Sequence, residues 1–118
     1  MAKIKLNANL ISEDDNLSIS VNAIRLDNKI IYKENDIQVT LLINNNKIEM
    51  MRLALDYQIN LIFEKNKNTT STYKFIGGDK FFKLNTKTEK LKISDNKVEI
   101  KYELEDNKFS YTVEMEDL

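Results

Sequence analysis

Three groups of residues have types and spacings that could do chemistry. The first is Tyr32-Lys33-Glu34 together with Arg52. In a strand, side chains two apart point the same way, so Tyr32 and Glu34 share a face with Ile30, and Arg52 shares one with Ile48 and Met50. Placed inside a fold, the Glu34 carboxylate needs a partner or becomes neutral. Arg52, one of only two arginines, offers a planar guanidinium suited to a bidentate bond. Three readings follow: a polar anchor at the bottom of a ligand cavity, a structural ion pair, or two exposed charges. The second group alternates rings and cations through Tyr73, Lys74, Phe75, Lys80, Phe81, Phe82 and Lys83. Exposed rings with lysines could stack bases and track phosphates. The plainer reading is core rings on one face and solvated lysines on the other, with one of the consecutive Phe81 and Phe82 turned outward. The third group, Glu13-Asp14-Asp15, could hold a hard cation, but it lacks the spaced ligands and glycine of a calcium loop and reads better as a solvated turn.

What is missing narrows the chemistry further. The chain has no Cys and no His, so it has no thiolate nucleophile, no disulfide, no Cys/His zinc site and no imidazole base. Its only glycines are Gly77 and Gly78, too few for a phosphate-cradling loop. No spacing singles out a catalytic carboxylate pair. These absences predict a protein that is not an enzyme and carries no cofactor or metal. The 31% charged residues nearly cancel, to a net charge of −1, which argues against a protein built to grip a polyanion.

The elements that must position these residues are strands. Period-two alternation broken by short polar turns runs through the chain. Ile4, Leu6, Ala8 and Leu10 alternate with polar residues, as do Leu17, Ile19, Val21 and Ala23, then Ile37, Val39, Leu41 and Ile43. Tyr57, Ile59, Leu61 and Phe63 repeat the pattern, as do Val98, Ile100, Tyr102 and Leu104, and finally Phe109, Tyr111, Val113 and Met115. Asp27-Asn28, Asn35-Asp36, Asp95-Asn96 and residues 105–108 read as turns, and Gly77-Gly78-Asp79 as a hairpin with positive φ at a glycine. Shorter strands are expected at 72–76, 80–84 and 90–94. Residues 48–55 fit a helical turn nearly as well as a strand and are read as a strand, because no capping box precedes them. About ten strands joined by tight turns predict an all-β, single-domain fold over residues 1–118: one antiparallel, mainly up-and-down β-barrel of eight to ten strands. The surplus of lysine from 69 to 92 and of acids from 102 to 118 suggests that these stretches face each other in the closed sheet.

The runs Ile31-Tyr32-Lys33-Glu34, Val39-Thr40-Leu41 and Met51-Arg52 carry a resemblance to a known family. So do Tyr73 after a polar loop, Thr86-Lys87-Thr88 before Leu91-Lys92-Ile93, and the strand from Val98 to Leu104. The chain resembles the YwiB-like family of small uncharacterised bacterial proteins from about Ile30 onward. The resemblance implies a calycin-type, lipocalin-like barrel and carries over no catalytic residue.

The expected function is noncatalytic binding of a small apolar or amphipathic ligand, with Tyr32, Glu34, Arg52 and Tyr73 as the ligand-binding set. A protein-interaction module using a sheet face or edge strand, with a protein partner or a homodimer, is the alternative. Single-stranded nucleic-acid binding through residues 73–92 is the least favoured. The first residues lack a continuous apolar core and no stretch approaches the about 18 apolar residues that span a bilayer, so the expectation is no membrane and a cytoplasmic home.

Overall fold

The structure, a computed structural model, describes residues 2–118. Alternating apolar side chains and short Asx-rich turns fold the chain into ten strands: β1 (Ala2–Ser12), β2 (Asn16–Leu26), β3 (Lys29–Glu34), β4 (Ile37–Asn44), β5 (Lys47–Leu53), β6 (Tyr57–Glu64), β7 (Asn68–Phe75), β8 (Phe81–Ile93), β9 (Lys97–Leu104) and β10 (Asn107–Asp117). Each strand runs antiparallel to the next, and β10 pairs with β1 to close an up-and-down barrel. The ambiguous segment 48–55 lies largely within β5 and is a strand. Asp27, Asn35 and Asn66 take positive φ in the turns, a conformation their short polar side chains tolerate. Glu105 and Asp106 do so consecutively, as a two-residue hairpin requires, and Gly77 has φ of 84° in the β7–β8 connection.

The alternation turns one face of every strand inward. Leu6, Ile30, Val39, Leu41, Ile48, Phe63, Val98, Ile100 and Val113 are fully buried there. Two boundaries differ from the sequence reading. Strand β7 starts at Asn68 rather than Thr72, and the expected strands at 80–84 and 90–94 are one continuous strand, β8. The reason is a bulge between Thr88 and Lys90. Before it the inward residues are Thr86 and Thr88, and after it Leu91 and Ile93, so the apolar alternation changes phase and the polar stretch imitates a turn. The lysine-rich stretch of β8 does not reach the acidic β10; it lies against β9, where Lys87 opposes Glu103 as the charge pattern suggested. There Glu99 meets Lys97 at 2.9 Å and Lys90 at 3.0 Å. Hydrogen bonds from Lys97 and then Lys90 hold its carboxyl down to about 2.

The wall thins between β6 and β7. Their backbone ladder covers only Tyr57 to Asn60 against Thr72 to Phe75. Beyond it, side chains take over the ladder's role. The Ile62 N–H donates to Ser71 Oγ at 3.1 Å, and the Thr69 hydroxyl donates to the Ile62 carbonyl. Ser71 Oγ is also hydrogen-bonded to Thr86 Oγ1 at 2.7 Å, both residues being buried. Ser71→Ala strands a half-buried N–H and a buried hydroxyl together, so it is expected to destabilise the fold by about 1–3 kcal/mol. Urea denaturation measures this, and an unchanged midpoint would show that the contact is not needed to hold β6 to β7.

Candidate functional site

The site is built on the inner faces of β3 and β5. Glu34 ends β3 as a buried residue, and Arg52 lies near the end of β5, on the inward face with Ile48 and Met50. The strand between them, β4, presents Val39 and Ile37, and the Arg52 guanidinium reaches across it to form an ion pair with Glu34 Oε2. The Glu34 side chain is 4% exposed and that of Arg52 is 13% exposed, so the arginine is the more reachable partner.

Tyr32 shares the inner face of β3 and bonds across the barrel, its hydroxyl 2.5 Å from that of Tyr111 on β10. Burial pushes the Tyr32 phenol up to about 12, against a smaller opposing effect from the Tyr111 hydrogen bond. Burial also raises Tyr102 and Tyr111 well above the ordinary phenol range, and both feel the charges of Arg52 and Glu34. Tyr102 packs on Phe63 with ring centres 4.6 Å apart and stacks on Phe109 at 5.2 Å. The Thr88 hydroxyl, opposite Tyr102 in the β8–β9 register, is buried without a hydrogen-bond partner.

The sequence-derived set therefore divides in two. Tyr32, Glu34 and Arg52 come together in the interior. Tyr73 does not join them, because two strand steps separate it from Arg52: Arg52 opposes Ile59, and Ile59 opposes Tyr73. Tyr73 instead stacks on Tyr57 at 5.4 Å and meets Phe75 edge-on at 5.1 Å, with Phe82 at 6.5 Å. These four rings lie on the inward face at one end of the barrel, yet Phe75 is 49% and Phe82 54% exposed. Phe81, turned outward, is 56% exposed as well, so the reading of this stretch as core rings with one exposed phenylalanine is corrected. The rings sit at the rim, beyond the reach of the core. Sequence reading missed Tyr102, Tyr111 and Tyr57 as parts of the site. Their signal was a hydroxyl-bearing ring at an inward position of an otherwise apolar alternation.

Tyr32, Glu34, Tyr102 and Tyr111 are each at most 4% exposed, so the interior around the ion pair is closed off from solvent. Five surface clefts of about 260 to 470 Å³ lie on the outer wall and ends, and none of these is lined by Tyr32, Glu34, Arg52 or Tyr73. Among the described residues no helix is long and apolar enough to cross a membrane.

A closed, ten-stranded, up-and-down barrel plugged by tyrosines around one ion pair, with an aromatic rim at one end, defines the class of protein. Residues 12–115 match the model of a domain of unknown function, DUF1934, and the chain belongs to that family. Its fold is similar to the crystal structure of ywiB protein from Bacillus subtilis, with a TM-score of 0.78 and 19% sequence identity over 99% of this chain and 92% of that one. The YwiB-like resemblance read from the sequence agrees with both findings. No curated protein matches the sequence.

Two outcomes are expected of the interior. Arg52→Met leaves the Glu34 carboxylate buried without its partner and should cost about 3 kcal/mol in urea denaturation, while the double variant Glu34→Leu with Arg52→Met should recover most of that loss. A single variant as stable as the parent would mean that water already solvates the pair. The second concerns alkaline pH. Phenols whose folded pKa lies above the ordinary 10.0 stabilise the fold fully below that value. That stability is lost as pH rises through the folded value, here from about 10 to about 12 for Tyr32. Phenolate absorbance should therefore show three of the five tyrosines ionising only together with loss of the barrel's circular dichroism. Ionisation of all five with the fold intact would contradict it.

Proposed function

We propose that this barrel is a noncatalytic binding protein that takes a small amphipathic ligand, its apolar part on the aromatic rim and its anionic end toward Arg52. The observation that carries this is the cluster of Tyr57, Tyr73, Phe75 and Phe82, which packs ring on ring yet leaves two phenylalanines half exposed on the inward face. The rim is continuous with other exposed apolar residues. The Ile76 N–H donates to the Asp56 carbonyl at 3.0 Å, tying the β5–β6 turn to the β7–β8 connection, and Ile76 and Leu55 are both exposed. Apolar surface concentrated in this way marks a place where something binds.

The inward row Tyr32, Val39, Arg52, Ile59, Tyr73, Phe82 runs by register from the ion pair to the rim. Arg52 carries five N–H donors, more than one carboxylate oxygen uses, so donors are left for an incoming anion. The exposed Lys74, Lys80 and Lys83 flank the rings and favour the same sign of ligand. Absence of His and Cys supports binding without catalysis.

The test uses anilinonaphthalene sulfonate, an anionic aromatic amphiphile, as a fluorescent probe. The parent protein should bind it, and Phe75→Ser with Phe82→Ser should weaken binding about tenfold while leaving the denaturation midpoint nearly unchanged, since both rings are half exposed. No binding to the parent, or equal binding to the variant, counts against the rim. Native mass spectrometry of protein purified from its own host should then show a co-purifying small molecule.

A further inference from the structure

The wall of the barrel is incomplete along β2. Its ladder with β1 runs the full length, from Arg25 opposite Ala2 to Asn16 opposite Ile11. Its ladder with β3 holds only Ile24, Arg25 and Leu26 against Ile31, Ile30 and Lys29. Continued in the same register, β3 would end with Glu34 level with Val21, so residues 16–20 have no β3 residue to face. Among the described residues, the side of this segment turned away from β1 carries no strand partner. It is an open sheet edge: apart from the Asn16 N–H, which donates to Asp15 Oδ1 at 2.8 Å, its outward N–H and C=O groups have no strand to pair with.

Open edges are normally guarded by charge, proline or a bulge, because they template pairing with another chain. This one has none of those guards: from Asn16 to Ile24 there is no charged residue and no proline, and the β1–β2 register is unbroken. The segment is also self-complementary. Asn16-Leu17-Ser18-Ile19-Ser20-Val21-Asn22 reads as the same sequence of residue classes in either direction about Ile19. Antiparallel pairing centred on Ile19 sets Ile19 on Ile19 and Ser18 on Ser20 past the end of β3, and Leu17 on Val21 and Asn16 on Asn22 where β2 has already left the β3 ladder, each with the second copy's residue. Aliphatic pairs then fall on one face and hydroxyl and amide pairs on the other, with no like charges opposed. The half-buried Leu17, Ile19 and Val21 of the two copies would form one apolar strip along the seam.

We propose that the β2 edge pairs with the β2 edge of a second copy of this chain, giving a two-fold symmetric dimer through a continuous sheet. The match of the segment to itself selects an identical partner, and its lack of charge gives a foreign charged strand nothing to recognise. The proposal does not depend on the ligand-binding reading, which concerns the other side of the barrel wall.

Sedimentation equilibrium over a range of concentrations up to about 1 mM tests it. The parent should move from the 13.8 kDa chain mass toward twice that mass as concentration rises. Ser18 and Ser20 are exposed and opposed across the proposed interface, so Ser18→Lys with Ser20→Lys, and separately Ser18→Glu with Ser20→Glu, should each abolish the dimer by like-charge repulsion. Circular dichroism should show both variants folded. Mixing the lysine and glutamate variants should restore the dimer. A parent that stays monomeric throughout, a lysine variant that dimerises like the parent, or a mixture that stays monomeric while both variants are folded overturns the proposal.

Discussion

Ten strands closed into a tube enclose more space than an eight-stranded barrel fills with ordinary side chains, and that space must be occupied. The rest of the molecule follows from how it is occupied. Aliphatic residues near the wall leave the centre to long side chains, and Tyr32, Tyr102, Tyr111, Phe63 and Arg52 reach into it. Four of these five end in a polar group. Each such group, once drawn away from water, has to meet another or it destabilises the fold. Tyr32 meets Tyr111 and Arg52 meets Glu34. The ion pair is thus first a consequence of filling a wide barrel with residues long enough to span it.

The same geometry leaves the wall uneven. Ten strands of unequal length cannot all be paired end to end. The six-residue β3 stops short beside the eleven-residue β2, and β6 and β7 part after four ladder pairs. The two gaps are treated differently. Between β6 and β7, Ser71 and Thr69 offer hydroxyls to the Ile62 backbone, so the seam is closed by side chains. Along β2 no such substitution occurs, and the edge is left to solvent or to another strand.

Much of this was legible in the sequence because a period of two assigns each residue a face without reference to the rest of the fold. The inward placing of Tyr32, Glu34 and Arg52, and the partnership of Glu34 with Arg52, needed only that rule and the cost of an unpaired buried charge. The rule fails where the strand itself slips. The bulge at Glu89 reverses the alternation within β8, so one strand of thirteen residues reads as two short ones at 80–84 and 90–94. Thr86 has no place in either of the two short strands until its hydroxyl is seen bonded to Ser71 inside the barrel. Distances between strands are not encoded in alternation either. Tyr73 faces inward, as Arg52 does, yet the register sets it two strands away, at the rim.

The division between a filled centre and an exposed rim bears on how the two halves of the site act together. Arg52 is committed to Glu34, and moving its guanidinium to a ligand would leave a carboxylate that is 4% exposed without compensation. On the proposed binding reading, an anion would meet only the donors that the pair leaves free, with the arginine fixed in place rather than swinging outward. That makes the ion pair a rigid floor and the rings the adaptable part. Phe75 and Phe82 are half exposed and meet each other edge-on, outside the buried core. Specificity for the apolar portion would then rest on the rim, where substitution is cheap to the fold. The charge preference would rest on the centre, where the need to keep Glu34 paired holds the arginine.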